Sequence, residues 1–265
     1  MLIPGVSGGT MAIILNIYDQ LIGAVSRVRQ DIKGNTLLLL NYALGGLAGI
    51  LLLSEPLLTI VTKWPMPSMF FFTGCILASI PPLYSRVKVD KIKIRNILVA
   101  LLGLVIGVSL KFIPPGLFQV SDSMSVQMFM LLIIAGMIIA IALILPGISG
   151  SYMLLAFGLY TITLEALRNF DIMFLLPLAI GLVLGTFGTA RILDKLMERH
   201  PQFIYMLIIG FMLGSLVQVV PGIPSGGDIS VSIICAVAGF VVILLLISGG
   251  KLSTKKRKLK ENDNV

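Results

Sequence analysis

Leu2-Ile3-Pro4-Gly5-Val6-Ser7-Gly8-Gly9-Thr10-Met11, which we call the first motif, recurs later in the chain as a second motif, Ile144-Leu145-Pro146-Gly147-Ile148-Ser149-Gly150-Ser151-Tyr152-Met153. Both read apolar, Pro, Gly, apolar, Ser, Gly, in the same order. Proline removes a backbone donor and glycine relaxes the limits on φ, so helical hydrogen bonding is expected to lapse there. Inside a membrane, bare backbone groups are tolerated only where protein or a water-filled cavity satisfies them. We therefore predict that the two motifs form the floor of a binding site.

The surrounding chain has the composition of an integral membrane protein. Of its 265 residues, 57% are hydrophobic and 12% are charged, against about 25% charged in soluble domains. The mean hydropathy is +1.03. Apolar segments close to the ~20 residues that a helical span needs lie at 8–25, 36–53, 66–83, 96–113, 126–145, 148–165, 172–190, 202–220 and 229–248. The fold class predicted is an all-α, polytopic membrane protein.

The positive charge lies between these segments. The net charge is +8, and most of the Lys and Arg residues fall at 27–33, 86–95, 191–199 and 251–260. Basic clusters that alternate with apolar spans indicate cytoplasmic loops rather than a nucleic-acid surface. We expect a multi-pass membrane protein with a basic cytoplasmic tail at 251–265. The two cysteines lie within apolar segments, so no disulfide, metal site or cofactor is predicted.

The repeat extends well beyond the motifs. Aligned pairs include Gly45 with Gly181, Gly49 with Gly185, Gly74 with Gly210, Ala100 with Ala236 and Gly103 with Gly239. The halves are predicted at 1–115 and 126–250. The basic loops make 36–53 run outward and its equivalent, 172–190, run inward, so the halves are inverted. Inverted repeats with discontinuous helices are typical of secondary transporters.

Two features of this repeat remain open. Segment 126–145 leads into the second motif, and we expect its counterpart, a leading helix of the first half, to lie outside the printed sequence.

The motif segments either cross the membrane or re-enter. Asp19 lies about 18 Å along a helix beyond Ser7, so a re-entrant tip at the midplane puts Tyr18 and Asp19 at the interface, as it does Tyr160. A full crossing would place the carboxylate of Asp19 deeper at a cost of several kcal/mol. We favour re-entrant hairpins whose Pro-Gly-x-Ser-Gly tips face each other.

At these residues the chain resembles the bacterial polyprenyl-phosphate transporter (PopT) family. The resemblance lies in Pro4-Gly5-Val6-Ser7-Gly8-Gly9-Thr10, in Asn16-Ile17-Tyr18-Asp19 and in Pro146-Gly147-Ile148-Ser149-Gly150-Ser151, and it covers essentially the whole chain. It implies transport of the C55 lipid carrier undecaprenyl phosphate from the outer to the inner leaflet for reuse in cell-wall synthesis. Members of the family usually carry an apolar helix ahead of the first motif.

The motif residues suit a phosphate head group. Backbone amides at helix N-termini and side-chain hydroxyls supply hydrogen-bond donors without a charged side chain. The predicted substrate-binding residues are Pro4, Gly5, Ser7, Gly8, Gly9, Thr10, Pro146, Gly147, Ser149, Gly150, Ser151 and Tyr152. Asp19, Arg27 and Arg168 are further candidates for coupling or head-group contacts. For Asp19 we favour an interfacial partner of Arg27 or Arg29, and for the two arginines a role in membrane topology.

Two other functions compete with lipid transport. A transporter or channel for a small soluble anion would use the same motif chemistry, and only the resemblance favours a lipid. A groove open to the bilayer would distinguish the two. A polyprenyl-pyrophosphate phosphatase would need an arginine in the motif and intramembrane glutamates, whereas Glu55 and Glu165 lie at segment ends. We therefore expect no enzymatic activity. The expected partners are the lipid substrate and the bilayer, and the sequence leaves open whether the protein forms a homo-oligomer.

Overall fold

The computed structural model describes residues 8–87, 93–114, 116, 125–220, 222 and 228–262, and the regular structure in this part of the chain is entirely helical. The helices are α1 (Gly8–Ile14), α2 (Tyr18–Ser26), α3 (Ile32–Lys63), α4 (Pro65–Ser85), α5 (Ile94–Ser109), α6 (Val126–Ile144), α7 (Gly150–Ala156), α8 (Tyr160–Asn169), α9 (Ile172–Arg199), α10 (Pro201–Val219) and α11 (Asp228–Asn262), with a 3₁₀ turn at Leu110–Phe112.

Several of these helices are long and apolar enough to cross a membrane. Within the described ranges there are five, or up to seven if each bent pair is one span. The five are Pro65–Ser85, Ile94–Phe112, Val126–Ile144, Ile172–Arg199 and Ile229–Ser248. Helices α7 and α8 meet at 103°, a bend that fits either a broken span or a re-entrant loop. The chain is therefore a multi-pass membrane protein.

Helix α3 is longer than the sequence pattern indicates. The predicted apolar segment ends at residue 53, whereas α3 continues through Pro56 to Lys63. A proline inside a helix removes one hydrogen bond and clashes with the carbonyl four residues earlier, so it bends the helix without always ending it. The parts 32–49 and 51–63 differ in direction by 46°. The chain leaves the helix at Trp64, and Pro65 begins α4 at the first helical position, where proline is favoured.

Helix α4 packs along α11, and α5 packs along α10. These crossings are so close that a methyl group at Gly74 would lie 1.9 Å from the carbonyl oxygen of Ala236, and one at Gly210 would lie 2.1 Å from that of Ala100. Gly74 aligns with Gly210 in the repeat, and Ala100 with Ala236. The same pair of residue types therefore meets at both crossings, with the glycine on α4 in one and on α10 in the other.

Helices α6 and α9 form the third closely packed pair. A methyl group at Gly181 would lie 2.1 Å from the carbonyl oxygen of Ile133, and one at Gly185 would lie 2.7 Å from the side chain of Ala140. The small residues of α9 thus allow close helix packing. Their counterparts on α3, Gly45 and Gly49, have no described residue near the position of an added methyl group.

This difference gives a matched prediction. We expect Gly181→Val to lower the free energy of unfolding by about 3 kcal/mol or more, because the added side chain forces α6 and α9 apart. Gly45→Val occupies the equivalent position on α3 and should change it by about 0.5 kcal/mol. Denaturation of the two purified variants by added detergent would measure both values. Equal losses would show that α3 is packed at Gly45 as tightly as α9 is at Gly181.

Candidate functional site

The second motif interrupts the helices as its Pro-Gly pair predicts. Helix α6 ends at Ile144, and Leu145 is extended. Gly147 follows with φ of +86°, a left-handed conformation that costs other residues about 1–2 kcal/mol. Ser149 is extended and precedes α7, which starts at Gly150. The backbone between the two helices therefore forms a turn instead of a continuous helix.

The end of the first motif lies against this turn. Pro4, Gly5 and Ser7 fall outside the described residues, whereas Gly8, Gly9 and Thr10 form the first turn of α1. The backbone N–H of Gly147 donates a hydrogen bond to Oγ1 of Thr10 over 3.0 Å, and Thr10 is completely buried. A methyl group at Gly9 would lie 2.7 Å from the carbonyl oxygen of Ile144. In the described residues, the two motifs thus pack directly against each other.

The hydroxyls of the second motif form a small polar cluster. Oγ of Ser149 and Oγ of Ser151 lie 2.9 Å apart in a hydrogen bond, and Ser149 is only 4% exposed. The Ser149 side chain makes no capping bond to α7. The hydroxyl of Tyr152 points elsewhere and donates to the carbonyl oxygen of Ile113 over 3.4 Å. Either serine can be the donor in this hydrogen bond. The hydroxyl hydrogen of the serine that accepts is not used in it.

The same turn follows each motif. Asn16 and Gly158 occupy equivalent positions of the repeat, and their φ values are +60° and +73°. Asparagine and glycine are the residues that adopt this left-handed conformation most readily. Tyr18 then begins α2, and Tyr160 begins α8. The resemblance between the halves therefore includes backbone conformation as well as sequence.

The two tyrosines differ in their surroundings. Tyr160 is 40% exposed, whereas Tyr18 is 3% exposed and donates to the carbonyl oxygen of Ile144 over 3.2 Å. Tyr18 thus packs inside the protein, and its place at the membrane interface stays a prediction. Its ring is buried in the core, and its hydroxyl satisfies a carbonyl that the end of α6 leaves without a helical partner. This contact links α2 to the second motif, in addition to the contacts that α1 makes with it.

Asp19 is paired with a different arginine from the one that the sequence indicates. Its carboxylate accepts from the guanidinium of Arg86, at the end of α4, and from the hydroxyl of Tyr205 on α10 over 3.1 Å. Arg86 also donates to the side chain of Asn16. The predicted partnership of Asp19 with Arg27 or Arg29 is wrong, because α4 brings Arg86 to α2 from a distant part of the sequence. This network ties the turn after the first motif to α4 and α10.

The pairing of Asp19 with Arg86 can be measured by a double-mutant cycle. We expect Asp19→Asn and Arg86→Gln each to be destabilising, and the double variant to be more stable than their sum by about 1–2 kcal/mol. Either single change leaves the opposite charge without its partner. The control cycle combines Asp19→Asn with Arg29→Gln and should be additive within about 0.5 kcal/mol. Additive effects of Asp19 and Arg86 would contradict the pairing.

Arg27 is held by acidic residues of α9. Its guanidinium forms two hydrogen bonds of 2.8 Å to Asp194 and also contacts Glu198. The hydrogen bonds that Arg27 donates to Asp194, followed by the nearby carboxylate charges, raise the pKa of Arg27 further above its ordinary value, so it stays charged. These contacts use the Nε and Nη2 donors of Arg27. Arg168 is exposed in the last turn of α8. Over the described ranges, no group of three His, Cys, Asp or Glu side chains could hold a metal ion.

Comparison with known proteins supports the resemblance read from the motifs. Residues 1–226 match the model of a family described as undecaprenyl phosphate translocase-like. A polyprenyl-phosphate transporter of Vibrio cholerae is 29% identical over 233 residues, covering 83% of this chain and 73% of the relative. A polyprenyl-phosphate transporter of Staphylococcus aureus is 31% identical over 259 residues, covering 92% of this chain and 90% of the relative. No solved structure matches the chain. The family and these relatives are named as transporters and not as enzymes. The chain belongs to the undecaprenyl phosphate translocase-like family.

Proposed function

We propose that this protein moves polyprenyl phosphate, and undecaprenyl phosphate in particular, from the outer to the inner leaflet of the bacterial plasma membrane, where the carrier is reused in cell-wall synthesis. The names of the family and of its relatives support the lipid substrate. The observation that carries the proposal is the buried hydrogen bond between Thr10 and Gly147, which joins the two motifs.

The head-group site consists of the motif residues that offer hydrogen-bond donors. The hydroxyls of Thr10, Ser149 and Ser151 and the backbone N–H of Gly147 lie on the two adjoining motif segments. Each hydrogen bond to a charged acceptor contributes about 1.5–3 kcal/mol. Helices α1 and α7 have seven residues each, so we assign the affinity mainly to direct hydrogen bonds rather than to helix dipoles. The first-motif residues Pro4, Gly5 and Ser7 belong to the proposed site by their place in the sequence.

The described arrangement corresponds to a closed site. Thr10 is completely buried and Ser149 almost so, so a head group reaches them only when α1 separates from the turn after α6. That separation breaks the bond between Thr10 and Gly147 and releases the backbone N–H of Gly147. A phosphate oxygen can accept from this N–H, so the substrate replaces a contact within the protein with one of its own. The isoprenoid tail remains in the bilayer throughout.

We infer that the two halves allow alternating access, in which the head-group site opens to one leaflet and then to the other. We assign 1–115 and 126–250 to repeats of opposite orientation, with 251–265 as a cytoplasmic extension. The reciprocal packing of α4 with α11 and of α5 with α10 supports this assignment, because helices related by a two-fold axis make equivalent contacts. Both motifs then lie near the repeat interface. A small movement of one half against the other exposes the head-group site to one leaflet at a time.

Reconstitution tests this function directly. Purified protein in liposomes is given labelled undecaprenyl phosphate, and its exposure in each leaflet is followed with time. We expect accelerated transfer that unlabelled undecaprenyl phosphate suppresses and a large excess of inorganic phosphate does not. The pyrophosphate form should compete less well, because its head group is larger and carries more charge. Uptake of labelled inorganic phosphate, without transfer of the lipid, would favour the soluble-anion function instead.

A further inference from the structure

A polar hollow lies away from the motifs. It is formed where the first turn of α5 meets the start of α10, and its volume is about 260 Å³. The residues lining it are Arg95, Asn96, Val99, His200 and Phe203. Two of the basic clusters, 86–95 and 191–199, end beside it. The hollow is therefore at the basic end of the molecule, which we take to be the cytoplasmic end.

Asn96 is the unusual residue of this hollow. It is 3% exposed, and its Nδ2 is buried without a hydrogen-bond partner in the described part of the chain. A buried amide without a partner is unfavourable, so such a group usually has a ligand or a water to bind. The guanidinium of Arg95 and the imidazole of His200 line the same space. The hollow thus combines three side chains that can donate hydrogen bonds, two of them able to carry a positive charge.

The repeat provides an internal comparison. The alignment that pairs Ala100 with Ala236 also pairs Arg95 with Val231 and His200 with Trp64. Val231 and Trp64 line an equivalent hollow of about 520 Å³ between α11 and the junction of α3 and α4, whose other lining residues are mostly apolar. The fold therefore creates a hollow at this place in both halves. Of these two hollows, only the one at the basic end is lined by basic side chains, Arg95 and His200. Packing at this place in the fold therefore does not require basic residues.

We propose that Arg95, Asn96 and His200 form a binding site for a phosphate monoester at the basic end of the protein, separate from the paired motifs. A phosphate monoester carries close to two negative charges and three strong acceptor oxygens. Three donor side chains, including the charged guanidinium, match that group better than they match a phosphodiester with two free oxygens. One step of this proposal rests on the proposed function, namely that the monoester is the polyprenyl phosphate head group. In that role the site receives the head group after it has passed the motifs.

The single histidine of the chain makes this site observable. Full-length protein with ¹³C-labelled histidine, its purification tag removed, gives one imidazole signal in phosphatidylcholine nanodiscs. Geranyl phosphate is titrated as the monoester probe, and geraniol, inorganic phosphate and a short-chain phosphatidylglycerol form separate arms. We expect a saturable shift with geranyl phosphate and none with geraniol. Inorganic phosphate should cause the same shift at higher concentration, because it lacks the tail.

Two variants separate binding at this site from nonspecific attraction. Arg95→Gln should weaken the binding of geranyl phosphate about tenfold. Lys93→Gln removes the same charge from the residue that caps α5 and does not line the hollow, so binding should stay within about twofold. An unchanged His200 signal, an equal response to geraniol or phosphatidylglycerol, or equal effects of the two variants would overturn the proposal. Ser149→Ala should leave the His200 titration intact, so failure of the motif mechanism and failure of this site give different results.

Discussion

Gly147→Ala is expected to lower the free energy of unfolding by about 2–5 kcal/mol and to remove most of the transport activity. Two effects add at this position. The left-handed φ of +86° costs a residue with a side chain about 1–2 kcal/mol. The new methyl group would lie 2.6 Å from the carbonyl oxygen of Phe211, and relief of such overpacking costs a further 1–3 kcal/mol or so. Denaturation of the purified variant, together with transfer of labelled lipid in liposomes, measures both outcomes.

Gly116→Ala is the matched control for this substitution. Gly116 has nearly the same φ, +85°, but no described residue lies close to the position of its added methyl group. It should therefore show only the conformational part of the cost, about 1 kcal/mol, with transport retained. If Gly147→Ala were as stable as the Gly116 variant, the close contact between the second motif and α10 would be absent.

The combined change Ser149→Ala and Ser151→Ala should reduce the rate of lipid transfer about a hundredfold or more. It removes two hydroxyls that we assign to the head-group phosphate, at about 1.5–3 kcal/mol each, while about 1.4 kcal/mol corresponds to a factor of ten. The loss of volume is small, so the unfolding free energy should change little. Ser7→Ala, added to this pair, should deepen the loss. Rates are compared in liposomes that contain equal amounts of inserted protein.

Ser215→Ala tests whether any buried serine would have the same effect. Ser215 is completely buried in α10, and its hydroxyl donates to the carbonyl oxygen of Met212 in the preceding turn over 2.8 Å. This variant should transport within about twofold of the wild-type rate. Wild-type transport by the Ser149 and Ser151 variant would exclude those hydroxyls from the mechanism.

The features that the sequence predicts well are local ones. The helices and the membrane class follow from long apolar segments, and the end of α6 follows from Pro146 and Gly147, whose effects on the backbone do not depend on distant residues. The positive φ values of Asn16 and Gly158 are also local, since both residues favour them, but they were not among the predictions.

Features that depend on packing between distant elements were not predictable in this way. Asp19 pairs with Arg86 because the C-terminal end of α4 reaches α2, and the hydroxyl of the buried Tyr18 donates to a carbonyl at the end of α6. The distance of Tyr18 and Asp19 from the first motif was counted along a single helix, whereas α1 ends at Ile14 and α2 begins at Tyr18 after a turn. The acidic partners of Arg27 on α9 were missed for the same reason.

Photochemical labelling from the head group tests the central claim, that the two motifs together bind the phosphate of the lipid. A polyprenyl phosphate analogue with a photoreactive group beside its phosphate is incorporated with the protein into liposomes and illuminated, and the labelled residues are identified by mass spectrometry. We predict adducts within 7–10 and 147–152 that excess unlabelled polyprenyl phosphate suppresses. Suppressible adducts that spare both motifs would contradict the account.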